Sequence, residues 1–409
     1  MPKYDAAVVG AGLGGLAVAA LLSGKKKRVI VLEHGGSLDG AVGAYTRDGY
    51  SFHASPALSY GFDPGGAFHV LSAQIGIVQA AAVRSPCYQV ALPDHRITIF
   101  ADKAETLEEL GREFPREINA LITFYRDLHG LAEKVLKNRF WAYVTRQRSA
   151  AGFMRQYRFS AGLTAFFDVQ SLYFFQRPVA EISLVDLIAL CDTPPRYPEG
   201  GFKGLVDQLQ GTILQQGGEI LYNQADIEIL SRGNTIKTKQ GVIEADAILL
   251  NLSPSPHPST IFMGLRDTVI PVGMCPEVLY LPDYHSPRQF YTLSLGAKDD
   301  VASAPKGMSA LSMTFRSEQG SAHDKQDLID RLNRLIPFLN DHLVFSDEQR
   351  TGVEGIVLPE GVAFKPLRSK EGISLLSRGS RGNLYLLKNA QAAPLQVMSA
   401  VNRFVNKIS

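Results

Sequence analysis

An apolar run, Ala6 to Val9, leads straight into Gly10-Ala11-Gly12-Leu13-Gly14-Gly15, and an apolar, helix-forming stretch from Leu16 to Leu22 follows. A second apolar run, Val29 to Leu32, ends at Glu33. Strands buried on both faces read as continuous apolar runs, whereas half-exposed strands alternate. The order predicts a strand, a glycine turn, a helix and a second parallel strand, the βαβ unit of about 30 residues. Few folds accept such an opening. It commits the chain to an α/β architecture with helices laid on a parallel sheet.

Each position of the turn has a task. Gly10 permits the tight turn, Gly12 lets the backbone approach a pyrophosphate, and Gly15 lets the helix and strand pack closely. Leu13 and Gly14 open the helix, whose unpaired N–H groups suit phosphate. Glu33 sits where a carboxylate can accept bonds from both hydroxyls of an adenosine ribose. An acid there favours an unphosphorylated ribose, hence FAD or NAD rather than NADP. The plainer alternative is a structural glycine turn with an incidental Glu.

At 409 residues the chain is expected to form about two or three domains. A net charge of +2 does not point to nucleic acid. Lys25-Lys26-Lys27-Arg28 reads best as cations placed at a helix C-terminus, and otherwise as a phosphate or membrane patch. Cys87, Cys191 and Cys275 are too scattered for a disulfide framework or a CxxC metal site, so reduced, buried thiols are expected. Residues 6–24 carry no charge, but five glycines interrupt them, which fits a strand, turn and helix better than a membrane span. No secretory signal is evident, and a cytoplasmic location is expected.

Beyond the opening unit, YQVALPDHRITIF (Tyr88 to Phe100) alternates on both sides of a turn and reads as a hairpin. Helical spacing from Thr106 to about Lys137 is divided by Pro115. Residues 140–180 are unusually aromatic, which suits helical core packing or, alternatively, an apolar substrate cavity or membrane-facing patch. A Pro/Gly-rich join, Pro194 to Phe202, precedes a helix through Leu205, Leu209 and Ile213. Asp246 to Asn251 reads as a buried strand, and 252–320 as mixed strands. Asp324 to Phe345 reads as an amphipathic helix containing Pro337. Asn383 to Leu387 reads as a last strand, with a helix near Pro394 to Ile408 after it.

In order and spacing these segments resemble the phytoene desaturase and carotenoid isomerase family of FAD-dependent oxidoreductases, within the amine-oxidase-like flavoprotein group. The likeness runs through VVGAGLGGLAVAALL and VIVLE, Tyr45 to Phe52, the hairpin with ADKAETLEELGREFP after it, and Tyr197-Pro198-Glu199-Gly200-Gly201-Phe202. It continues in GGEILYNQADIEIL and ends in Asn383 to Ala390. The resemblance implies a Rossmann-type FAD-binding domain from residues 1–70, 195–260 and 370–409. Residues 71–194 and 261–369 would form an inserted α+β substrate domain with a mixed sheet and helices, its helical part at about 104–180. It implies FAD as cofactor, an apolar or amphipathic substrate and peripheral membrane contact. It assigns Gly40 to the loop passing the pyrophosphate, the backbone near Ile227 to adenine, and Lys388 and Asn389 to the ribityl end.

The sequence departs from that family where the flavin would lie. Asp39-Gly40-Ala41 replaces Gly-Gly-Arg, His53 and Ser55-Pro56 replace Asp and Gly-Pro, Lys388-Asn389 replaces Gly-Asp, and Pro394-Leu395 replaces Pro-Gly. Asn389 can donate and accept hydrogen bonds, and Lys388 can pair with phosphate as a point charge. Equally, Lys388 can fill the flavin site. Three readings therefore stand: a FAD enzyme, a degenerate member that binds an adenine nucleotide or nothing, and an NAD protein with a single site. His53, His69 and His95 lack metal-site spacing, Asp283, His285 and Arg288 read as a solvated loop, and no catalytic side chain is named.

Overall fold

The two apolar runs at the start of the chain lie side by side as parallel strands, Lys3–Val9 and Val29–Leu32, with Ala6 paired to Val29 and Val9 to Leu32. In this computed structural model the described residues are 2–38, 44–53, 57–230, 234–252, 259–286, 289–296, 303–316, 325–350, 356–357, 364–366, 376–380, 383–388 and 394–408. Glu219–Leu221 extends the sheet beyond Val29–Leu32, and Gly241–Leu252 followed by Leu384–Lys388 extends it on the other side, all parallel. The first strand is thus central and covered on both faces, so Ala6, Ala7, Val8 and Val9 are each no more than 1% exposed.

Helices Leu13–Gly24, Gly201–Gln215 and Pro394–Ile408 cover one face, where Leu16, Leu205, Leu209 and Phe404 share a core. The other face meets an antiparallel meander of Ile227–Ile229, Thr235–Thr238 and the first part of Gly241–Leu252, whose isoleucines pack on Val9 and Ile30. Ile356–Val357, Phe364–Pro366 and Leu376–Gly379 complete a ten-stranded sheet. The first two of these lie within 261–369, the stretch that the resemblance assigns to the inserted domain. The α/β, Rossmann-type expectation for the fold is met.

A second, seven-stranded mixed sheet runs in the order Leu343–Arg350, Ser259–Arg266, Met308–Arg316, Phe290–Leu295, Glu277–Tyr280, Tyr88–Ala91, Arg96–Ile99. One face is apolar and packs Ile261, Met263, Leu293, Leu311 and Met313 on Leu328, Leu332 and Ile336. The amphipathic helix expected over Asp324 to Phe345 is shorter than that. It spans Lys325–Asn333, a separate turn Leu339–His342 follows, and Leu343–Phe345 already belongs to a strand. Pro337 lacks the N–H that a continuous helix needs, and Phe338 takes a left-handed backbone with φ 66°.

Helices Lys103–Glu113 and Ile118–Lys137 separate around Pro115, and Asp102 caps the first by accepting from the Ala104 N–H at 2.8 Å. The aromatic segment mostly packs inward: Phe166, Phe167, Tyr173 and Phe175 are at most 2% exposed in the core of the helical layer. Phe140 and Tyr143, at 64% and 66% exposure, do not. Among the described residues no helix is long and apolar enough to cross a membrane.

Candidate functional site

The glycine turn leaves the central strand at Gly10, whose φ of 93° suits a residue without a Cβ. A Cβ on Gly10 would lie 2.5 Å from the Asn251 carbonyl oxygen, and one on Gly15 would lie 2.5 Å from the Gly10 oxygen. Gly15 thus holds helix and strand together, as its spacing predicts. Asn251, at the end of the neighbouring strand, donates from Nδ2 to the Gly10 oxygen at 3.1 Å, while its buried Oδ1 has no partner. No side chain caps the helix that begins at Leu13, its N-cap is Gly12, and its first turn holds no acid. Such a terminus keeps its N–H donors and the positive end of its dipole for an anion.

Glu33 ends the second strand beside this turn. Its Oε2 accepts from the Ala11 N–H at 2.7 Å and its Oε1 from the Gly35 N–H at 2.8 Å. Each carboxylate oxygen accepts two bonds, so one position on each remains for a ribose hydroxyl. The Glu33 backbone pairs with Leu221 and Gln224, which brings the 221–224 loop alongside. Ile227 lies just beyond, at the start of a buried strand and 2% exposed. The parts an ADP group needs are therefore together: an uncapped helix start, a glycine turn and an acid. The remaining site residues named from sequence are less fully placed. Lys388 closes the strand that pairs with Gly241–Leu252, opposite Leu252. Its side chain, and all of Asp39, Gly40, Ala41, Ser55, Pro56 and Asn389, lie outside the described residues.

A second feature escaped the sequence reading. A cavity of about 710 Å³ opens between the second sheet and the join that re-enters the first unit. On one side lie Ser51, Phe52 and His53 of the hairpin Ala44–Arg47/Tyr50–His53, with Tyr197 to Lys203 beside them. On the other lie Glu277, Ser294 and Ser312. The hairpin is fixed by Tyr45 stacking on Phe262, by Phe52 packing tilted against the same ring, and by Tyr45 and Arg47 reaching Asp347 at 2.7 and 2.6 Å. An ion pair from Arg196 to Asp63 and a backbone bridge between Ser59 and Arg196 hold the join. One helix connects the two features: Gly201–Gln215 packs on the nucleotide-turn helix through Leu205 and Leu209, and its first residues border the cavity.

Glu277 is the most perturbed group there. It is 2% exposed, and burial pushes its carboxyl up to about 8, against the opposing pull of a Ser294 hydrogen bond and the Arg84 charge. The Arg84 guanidinium lies 4.3 Å over the Tyr197 ring, and the Tyr197 hydroxyl donates to the Cys87 carbonyl. Burial raises the thiols of Cys87 and Cys275 to about 11, which makes them inert rather than nucleophilic. Asp283 and His285 pair in an exposed loop as expected, with Arg288 outside the described residues. No metal-binding group occurs among the described residues.

Comparison with known proteins agrees with this geometry. The NAD(P)-binding Rossmann-like domain family matches residues 8–73. A chloroplastic prolycopene isomerase from Arabidopsis thaliana is 29% identical over 269 residues, covering 57% of this chain and 44% of that protein. The chain thus spans less than half the length of the curated relatives it matches. Among solved structures, an oxidoreductase from Methanosarcina mazei superposes with a TM-score of 0.59 at 17% identity, covering 98% of this chain and all of the other. Putrescine oxidase bound to putrescine gives 0.57 at 12% identity, covering 99% of each chain. These structures speak for the fold alone. With the isomerase likeness they bear out the resemblance first drawn from sequence motifs: the chain is similar to the carotenoid isomerases of the phytoene desaturase-like group.

Proposed function

We propose that the chain is a FAD-dependent oxidoreductase of the phytoene dehydrogenase-like kind, passing hydride between an apolar or amphipathic substrate and flavin N5. The observation that carries this reading is the single helix Gly201–Gln215, which packs on an ADP-type glycine turn and borders the cavity at its other contact. The described residues fit the ADP half of FAD. Gly10, Gly12, Leu13, Gly14 and Gly15 would receive the pyrophosphate, Glu33 the ribose, and the backbone at Ile227 the adenine. Gly40, Lys388 and Asn389 would hold the remainder. Bound FAD would supply the two-electron acceptor. The chain's own part is to seat the nucleotide, exclude water with Phe52, Tyr197 and Phe202, and orient the substrate against the second sheet. The cavity volume falls in the range of small-molecule sites. The substrate is a small molecule, and its apolar character also makes contact with a membrane surface part of the proposal.

The test is an absorption spectrum of the protein purified without added cofactor. Flavin bands near about 370 and 450 nm are expected. A protein that stays colourless after incubation with FAD would replace this reading with that of an adenine-nucleotide or accessory protein, which the departures at Lys388-Asn389 favour.

A further inference from the structure

The second sheet has one apolar face and one that is not. Pairing places Glu277 opposite Ser294, and Ser294 opposite Ser312, so the three stand in one row across adjacent strands. All three line the cavity. The next row, Thr292, Thr314 and Thr260, is also polar and buried, but Thr260 and Thr314 bond each other at 3.0 Å. Elsewhere the cavity wall is largely apolar, with Phe52, Ala57, Ala81, Pro198, Phe202 and Leu295. Glu277 and Ser294 share a hydrogen bond, but a purely hydrocarbon ligand would offer the rest of the row no partner once water is expelled, and burying polar groups without compensation costs free energy.

We infer that the Glu277 carboxyl with the Ser294 and Ser312 hydroxyls binds the hydroxyl or carbonyl oxygen at one end of an amphipathic substrate, and discriminates against an ammonium group there. This rests on the reading of the cavity as the substrate site. The surrounding charges set the class of ligand. Facing Glu277 from the other elements are Arg84 and Tyr197, with Cys87 and Cys275 beside Tyr197, and further along the wall His53, Lys203 and Glu199. The Arg84 charge acts on Glu277 directly, while Lys203 is paired with Asp207 and lies beside Glu199, so an ammonium at Glu277 meets the repulsion of Arg84. Burial keeps the Glu277 proton on at neutral pH, because its carboxyl is pushed up to about 8. A carboxyl in that state donates an O–H bond to a neutral oxygen and offers no anion to a cation.

The experiment measures binding of octanol and octylamine by calorimetry to the protein as isolated, with flavin content recorded on the same sample. Octanol is expected to bind at least about tenfold more tightly than octylamine. Glu277→Gln, which stays neutral and keeps a donor, should hold octanol within about threefold of the unaltered protein, whereas Glu277→Ala should lose about tenfold. Ser294→Ala, which leaves the carboxyl in place, should weaken octanol binding by a smaller factor. In the infrared, a protonated-carboxyl carbonyl band at neutral pH should vanish in Glu277→Gln. Octylamine binding equal to or tighter than octanol, a Gln variant as weak as the Ala variant, or no binding of either probe would overturn the inference. Flavin content reports separately on the oxidoreductase reading. A protein that stays colourless after incubation with FAD yet prefers octanol sinks that reading and keeps the polar row, and a yellow protein without preference does the reverse.

Discussion

Replacing Glu277 by Gln changes how stability depends on pH, and the structure fixes both sign and size. In the folded chain burial lifts this carboxyl to about 8 from an ordinary value of 4.5. The native state keeps a proton that the unfolded chain has released over that interval. Stability from this group is therefore complete below the lower value and is lost as pH rises through the upper one. The slope is roughly 1.4 kcal/mol per pH unit, with a ceiling of about 5 kcal/mol across the whole interval. Glutamine has the same shape and no charge to desolvate, so its stability lacks this slope. Every group other than residue 277 is common to the two proteins and cancels in the difference, including the thiols of Cys87 and Cys275, which burial raises to about 11. Urea unfolding of both proteins at several values between about pH 5 and 8 measures the difference directly. It should swing toward the Gln variant by several kcal/mol as pH rises. Parallel stability curves would show that Glu277 is ionised in the folded state, and would refute the burial argument.

Removing the Glu33 carboxylate as Glu33→Ala should weaken FAD binding by about 1.5–3 kcal/mol for lost charge-assisted bonds, read by equilibrium titration, and unchanged affinity would remove Glu33 from the site. It should also lower stability, since the carboxylate holds the Ala11 and Gly35 N–H groups. Lys388→Gly combined with Asn389→Asp should raise FAD affinity if those residues obstruct the flavin, and lower it if they are adapted ligands, in a flavin fluorescence titration.

The first βαβ unit was legible because its signals are local. Val29–Leu32 has the boundaries its apolar run predicts, and Gly10 and Gly15 meet the steric needs assigned to them. The hairpin from Tyr88 and the helix from Pro394 were readable for the same reason. The helix expected through Phe345 failed because its apolar spacing continued past Pro337 into residues that pair with Ser259–Arg266. A long-range strand partner overrides local periodicity, and only the proline hinted at it. The cavity was missed for a related reason. Glu277 stands 193 positions from Arg84 in the chain, and register alone joins it to Ser294 and Ser312. A sequence signal did exist: Thr292 and Ser294, then Ser312 and Thr314, alternate with Leu293, Leu311 and Met313. Alternation of that kind marks a sheet with one polar face, and an acid opening the adjacent buried strand marks where that face has work to do.

The strand Gly241–Leu252 carries two different neighbours along one edge, Thr235–Thr238 antiparallel on its first part and Leu384–Lys388 parallel on its last. Asn251, whose amide grips the Gly10 oxygen, sits in the part that Leu387 covers. The nucleotide turn is thus written in the earliest residues of the chain but assembled late. While the protein is being synthesised, the turn waits first for residue 251 and then for the strand that ends at 388. Until that strand docks, the edge beneath the turn is open to pairing with another chain.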